Sequence, residues 1–431
     1  MNRRSFLRSS ASAAAAVAVP AYVPAGVFAA PGQPGANDRI RIAFIGCGGR
    51  ARHLMSPNED LTPGEIVAVC DTFLPRTEEA AKGRPDGAKW GKYQDHRKMF
   101  EKEKLDAVFV ETTCHARVQI MIHALQAGLD VYGEKPLTLT VAEGRTLVKA
   151  VRKYNKILQT GTQQRSMPIN MHVSKLIRDG VLGKGLTVTT CNFEGPKRWT
   201  PKEGQPVPAG LDWDQWCNQS ELRPYHRDLQ YGWSDWWDYD GGGQCWGVSG
   251  WGTHSLDQVQ CALGTSETGP VEVWMDEDVP NGKVTMKYAN GVLLKLHGAK
   301  RPWNAQTKVG LDDLGAIFQG ENGKIELVRG NYRADPKELV KDAPPPSPCC
   351  EPKESVDHLR NFFDCLRSRK LPNADVEIGH RSTTVCHLVN ICRDLKRKLT
   401  WDPKAEQFVG DEEANKMLSR PRRKGYELPA I

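Results

Sequence analysis

Short apolar runs alternate with longer stretches of helical spacing through the first part of the chain. Ile40 to Ile45, Ile66 to Cys70, Leu105 to Val110, Leu129 to Tyr132 and Ile157 to Thr160 read as buried strands. Arg76 to Ala81, Ala116 to Ala127 and Val141 to Tyr154 carry helical periodicity between them. That order predicts a doubly wound parallel sheet of the Rossmann kind. Beyond Gly161 the rhythm changes. Leu186 to Phe193, Val271 to Trp274, Lys283 to Tyr288, Val292 to His297, Ala316 to Gln319 and Lys324 to Val328 follow one another as strands, with Asn290-Gly291 and Asn322-Gly323 as hairpin turns. Met171 to Asp179 and Asp357 to Arg369 read as helices. The fold class is therefore α/β: an N-terminal Rossmann domain (39–161) and a C-terminal α+β domain (162–400) with a mainly antiparallel, open sheet. One face of such a sheet is free to cover a cleft or to pair with a second copy. Residues 401–431 are polar and irregular and read as an arm, expected to lie across a neighbour.

The strand Ile40 to Ile45 runs directly into Gly46-Cys47-Gly48-Gly49-Arg50-Ala51. Gly46 permits a tight turn, Gly48 and Gly49 let backbone N–H groups approach a pyrophosphate, Arg50 adds charge, and the small Ala51 lets the next helix pack close. The second strand ends in Asp71, where a carboxylate accepts from a ribose hydroxyl. Asp71 repels a 2′-phosphate, so NAD is favoured over NADP, a preference that Arg76 softens. The third strand ends in Glu111-Thr112-Thr113-Cys114-His115, at the carboxyl edge that faces a cofactor. Thr113 and His115 are candidate pocket residues; a helix N-cap and a structural histidine are the alternatives.

Composition adds an address. Asn2-Arg3-Arg4-Ser5-Phe6-Leu7 precedes an alanine-rich run from Ala11 to Val19, and Val27-Phe28-Ala29 offers small residues for cleavage. Residues 1–30 thus resemble a twin-arginine export signal, and 31–38 a Pro/Gly linker, which places the mature protein in the periplasm without stable membrane insertion. The formal charge of +7 falls to +4 once Arg3, Arg4 and Arg8 are removed, and the remaining charges are interspersed. Nothing in that pattern suits nucleic acid. Twelve cysteines include no Cys-x-x-Cys pair and several sit in apolar runs, so most read as buried thiols, and no metal site is expected.

Glu134-Lys135-Pro136 at a strand end carries the chemistry. An ammonium beside a nicotinamide hydrogen-bonds a substrate hydroxyl and stabilises the alkoxide that forms as hydride leaves. Eight of the twelve tryptophans fall between Trp199 and Trp251. Aromatic faces suit the C–H faces of sugars, which makes Trp237 and the nearby Asp240 candidate substrate contacts.

The glycine turn, Asp71, Glu134-Lys135-Pro136-Leu137, the run Gln159 to Ser166 and Gly252-Thr253-His254-Ser255-Leu256-Asp257 together resemble the family named after glucose-fructose oxidoreductase, inositol dehydrogenase and MocA. The stretch from Trp401 to Asn415 is similar to its exported bacterial branch. The resemblance implies a Rossmann domain with tightly held NAD(P), an open-sheet substrate domain that often forms homo-oligomers, and a sugar, inositol or related polyol as substrate. It implies Lys135 as the catalytic lysine and His254 as the proton acceptor. Where much of the family has an aspartate four residues before the histidine, this chain has Gly250. Asp257 could orient the His254 ring instead, or Asp235, Asp238 or Asp240 could supply the carboxylate. Glu134, Gln163 and Arg165 are further candidate cofactor or substrate contacts. Two other readings stand beside a sugar or polyol oxidoreductase: an NAD-dependent glycoside hydrolase or lyase that cycles hydride internally, and a sugar- or NAD-binding protein without turnover.

Overall fold

The computed structural model describes residues 39–57, 59–243, 247–298, 314–345 and 355–431. The export signal and linker, Trp246, and Cys349 and Cys350 lie outside the described residues.

Six parallel strands make the first sheet: β1 (Ile40–Ile45), β2 (Gly64–Cys70), β3 (Gly91–Tyr93), β4 (Ala107–Val110), β5 (Asp130–Gly133) and β6 (Leu158–Thr160). Their order is β3-β2-β1-β4-β5-β6, so the chain reverses direction across the sheet between β1 and β4. A doubly wound sheet opens its ligand crevice at such a switch point. Both faces are covered. On one, Phe44 and Phe109 stack with centroids 4.6 Å apart and meet Phe362. On the other, Val108, Val110 and Val131 pack with Met121 and Leu147 from the helices Cys114–Gln126 and Val141–Tyr154. Chain order and packing diverge here, because Phe362 belongs to the helix Val356–Ser368, which by position falls in the second domain.

The second sheet has nine strands: β7 (Thr187–Cys191), β8 (Glu272–Met275), β9 (Val284–Lys287), β10 (Leu293–Gly298), β11 (Ala316–Gly320), β12 (Gly323–Val328), β13 (Asn331–Asp335), β14 (Leu399–Asp402) and β15 (Gln407–Phe408). Their order is β13-β12-β11-β7-β10-β9-β8-β14-β15. Pairing is antiparallel except between β7 and β10. One face is buried through Val188, Leu294, Leu296, Phe318 and Ile325. Alternate positions, among them Thr187, Thr189, Lys295 and Glu326, are partly exposed.

The carboxyl end differs from its expected form. Trp401, read as the start of an irregular arm, sits in β14, is 2% exposed and meets Phe408 edge-on at 4.9 Å. The segment beyond it lies along its own chain. Ala142 N donates to Leu418 O at 3.0 Å, Arg423 N to Gln219 O at 3.0 Å, and Gln126 Nε2 to Ala430 O at 3.1 Å, while Arg422 pairs with Glu143. Backbone groups that look unpartnered in sequence find their partners here, on the first domain and on Gln219 of the second. Among the described residues no helix is long and apolar enough to cross a membrane.

Candidate active site

A cleft of about 860 Å³ runs along the carboxyl edge of the parallel sheet and is closed on its far side by the tryptophan-rich segment and the helix Trp251–Leu263. Gly46 begins it with φ +87°, and a Cβ there would lie 2.8 Å from Glu111 C and Thr112 N, so both conformation and space demand glycine. At Gly48 and Gly49, which line the cleft, a Cβ would meet nothing within 4 Å. Bare backbone therefore faces open space, a cradle that fits a dinucleotide pyrophosphate. Ala51 is fully buried behind the turn, where its size matters for packing.

Asp71 lines the cleft at the end of β2. Its carboxylate accepts from Cys47 N and Phe73 N, each at 2.8 Å, which fixes its orientation toward the ribose position expected of a Rossmann fold. Burial raises its pKa, opposed by Arg76. Thr113 also lines the cleft, and its side chain makes no cap bond to the helix that follows. His115 does not line it. Its Nε2 donates to Trp216 O at 2.8 Å, and burial pushes its pKa down to about 4. The imidazole is a neutral tie between the helix Cys114–Gln126 and the tryptophan segment, which corrects its reading as a cofactor contact.

Glu134, Lys135 and Gln163 come together at the other end. Arg50 Nε donates to Glu134 Oε1 at 2.9 Å, and Lys135 N donates to Glu134 Oε2 at 2.7 Å. The Gln163 amide lies between Gly161 O and the Arg50 guanidinium. Arg117, which sequence reasoning passed over, donates to Glu134 O at 2.8 Å and so braces the turn that carries the lysine. Lys135 Nζ reaches Gly250 O at 3.3 Å. The backbone carbonyl of Gly250 thus meets the lysine at the position where the resemblance led one to look for an aspartate.

Of Asp235, Asp238 and Asp240, only Asp240 lines the cleft. It is 2% exposed and accepts from Gly241 N at 2.7 Å. Burial pushes its pKa up to about 6, against the pull of Gly241 N–H and the nearby Lys135 charge. His254, on the helix Trp251–Leu263, lines the same end and is 4% exposed. Burial holds its pKa well below the ordinary imidazole value, helped by the positive charges of Arg329, Lys135 and Arg50. The ring is neutral, and its buried Nδ1 has no hydrogen-bond partner in the structure. Arg329, which follows β12 and lines the cleft, is a second residue that sequence reasoning missed, since nothing local marks it out.

Arg165, Asp257 and Trp237 do not line the cleft. Arg165 Nε donates to both Asp257 oxygens at 2.8 Å, and Ser382 Oγ donates to Asp257 Oδ1 at 2.6 Å. The pair is buried in the second domain, so Asp257 is spent on Arg165 and not on the His254 ring. Trp237 lies between the Arg198 and Arg420 guanidinium groups, 3.9 and 4.1 Å from its ring centroid, a cation–π stack away from the cleft. Trp216, Trp233 and Trp251 line the cleft instead. Arg165→Ala is expected to cost about 3–5 kcal/mol of stability, because it leaves a buried carboxylate unpaired. Denaturant unfolding should show that loss, with KM of the folded enzyme unchanged; a shifted KM at unchanged stability would restore Arg165 to the substrate site.

The comparisons with known proteins bear on the family and the fold. D-apiose dehydrogenase of Paraburkholderia graminis is 32% identical over 34% of this chain and 38% of its own length. A glycosyl hydrolase family 109 protein of Shewanella pealeana is 24% identical over 47% of this chain and 48% of its own length. The matches to these curated relatives thus span less than half of each relative. The WlbA dehydrogenase of Bordetella pertussis, solved with NADH and UDP-GlcNAcA, superposes with a TM-score of 0.58 over 84% of this chain and 99% of its own, at 18% identity, a likeness of fold. Residues 40–162 match the NAD-binding Rossmann-fold model of the Gfo/Idh/MocA oxidoreductases and residues 167–428 match the model of their C-terminal alpha/beta domain, and the chain therefore belongs to that family.

Proposed function

We propose that this protein is an NAD-dependent oxidoreductase acting on a hydroxyl of a sugar or cyclic polyol. The observation that carries the reading is convergence: Lys135, Asp240 and His254 line one cleft with Gly48, Gly49 and Asp71, and Lys135 interacts electrostatically with both Asp240 and His254. Bound NAD would supply the hydride acceptor, held by the glycine turn, Asp71, Thr113 and Gln163. The Lys135 ammonium donates a hydrogen bond to the substrate oxygen and stabilises the charge that develops there. The neutral His254 takes up the hydroxyl proton. Asp240 supplies a negative charge near Lys135 that favours its ammonium form. Trp216, Trp233 and Trp251 offer flat apolar faces to the C–H surface of a ring. Asp71 favours NAD over NADP through charge repulsion of a 2′-phosphate.

Export by the twin-arginine route and assembly into a homo-oligomer belong to the same reading. The arginine pair before the alanine-rich run supports the first. The partly exposed positions on the nine-stranded sheet support the second. The likeness to a family 109 glycosyl hydrolase keeps a second reaction in view, in which NAD is reduced and reoxidised within one turnover that cleaves a glycoside.

One experiment separates these. Purified protein is denatured and the released nucleotide identified by mass spectrometry, and the native protein is then supplied with free sugars, polyols and aryl glycosides while nicotinamide absorbance is followed. Bound NAD with accumulating NADH from a free sugar or polyol is the expected result, and Asp71→Ala should lower NAD affinity by about tenfold or more. Glycoside cleavage without NADH would move the assignment to the internal redox cycle. Unchanged affinity in Asp71→Ala would remove the ribose contact.

A further inference from the structure

One wall of the cleft comes from the carboxyl-terminal segment of the chain. In the strand order β3-β2-β1-β4-β5-β6, side chains after β2 and β3 lie on one flank of the β1/β4 switch point, and Lys135 and Gln163, after β5 and β6, lie on the other. The first flank is where Asp71 stands, the adenosine side of a Rossmann site. There the cleft is lined by Lys424, Gly425 and Tyr426, close to the end of the chain.

These residues are tied in place from both sides. Arg423 Nε and Nη2 donate to Asn218 O at 3.1 and 3.0 Å, and the Arg423 guanidinium sits 4.5 Å over the Tyr426 ring. The Tyr426 hydroxyl donates to Asp214 Oδ2. Gln119 Nε2, from the helix Cys114–Gln126, donates to Glu427 O at 3.0 Å. Tyr426 also stands near Arg97, in the helix that follows β3. An aromatic ring and a primary ammonium are thereby presented to the half of the cleft where a purine nucleoside and its phosphates would lie.

We infer that this C-terminal segment is the outer wall of the adenosine half of the cofactor site, with Tyr426 packing on the nucleoside and Lys424 facing its phosphates. The inference rests on the NAD-dependent reading above. A ring already fixed by hydrogen bonds gains contact with a base at little further cost in side-chain order, and a lysine meets phosphate as a point charge. The wall makes the dinucleotide slow to leave and lets one chain enclose its own cofactor, which suits an enzyme working where free NAD is scarce.

The test uses the full-length protein and two half-cofactors, AMP and nicotinamide mononucleotide, titrated calorimetrically. Tyr426→Ala should weaken AMP about tenfold, leave nicotinamide mononucleotide unchanged and speed the loss of NAD from the holoprotein on dilution by about the same factor. Lys424→Glu, a change at an exposed side chain that leaves folding intact, should also weaken AMP, and more strongly at low salt. Unchanged AMP affinity in both variants, or equal weakening of the two half-cofactors, would overturn the inference. If the unmodified protein bound neither NAD nor AMP, the NAD-dependent reading itself would fall. Wild-type NAD binding with no effect of Tyr426→Ala would remove the wall alone.

Discussion

Lys135→Ala should lower kcat by about a thousandfold while leaving the fold and NAD affinity in place, the cost of removing one donor aimed at a developing oxyanion. The surroundings explain why the loss should be confined to chemistry. Glu134 keeps Arg50 and the backbone N–H of residue 135 as partners when the side chain is cut back, and Arg117 still braces the turn. Only the ammonium against Gly250 O and beside Asp240 disappears. Lys135→Arg should recover little of the rate, since a planar fork does not reproduce a compact ammonium in a partly buried corner. Steady-state kinetics at saturating NAD, with NAD affinity measured separately, reads both quantities. Turnover that survives in Lys135→Ala would make the lysine a structural residue of the turn.

Much of this site was legible in the sequence because its parts are local. Gly46 to Ala51 is one turn, Asp71 ends the next strand, and Glu134-Lys135 ends another, so periodicity and punctuation alone place them on one sheet edge. What escaped depends on packing between distant segments. The helix Val376–Leu395 was not anticipated, since it is buried on nearly all sides and lacks the polar stripe that marks a surface helix. Strands β3, β13 and β15 are short or polar, and their pairing, not their composition, defines them. The tryptophan density is visible in the sequence, but which rings face the cleft is not: Trp237 is stacked between arginines, while Trp216, Trp233 and Trp251 line the cleft. Arg165 and Asp257 lie in runs that resemble the family, yet each is the other's partner. Arg329 and Tyr426 carry no local signal at all, since the topology of the second sheet and the fold-back of the carboxyl end bring them to the cofactor edge.

Asp240→Asn should remove the acidic limb of the pH profile. In the intact protein Asp240 titrates at about 6, raised by burial from the ordinary aspartate range. Below that pH it is neutral and gives Lys135 no counter-charge, and above it the carboxylate favours the charged form of Lys135. Activity at subsaturating substrate should therefore rise through pH 6 and level off, and in Asp240→Asn it should be lower by about a hundredfold and flat across the same range. Stability carries the opposite sign. Because folding raises this pKa, the folded state binds more protons than the unfolded state between pH 4 and 6, so stability falls as pH rises through that window. Asparagine does not titrate, and the variant should gain on the wild type by up to about 3 kcal/mol above pH 6. Paired denaturant curves at acidic and neutral pH measure this directly. A carboxylate that costs stability where it raises activity is placed for chemistry, whereas a variant that loses activity and stability together at neutral pH would mark Asp240 as a strut of the fold and leave Lys135 without a counter-charge from the tryptophan segment.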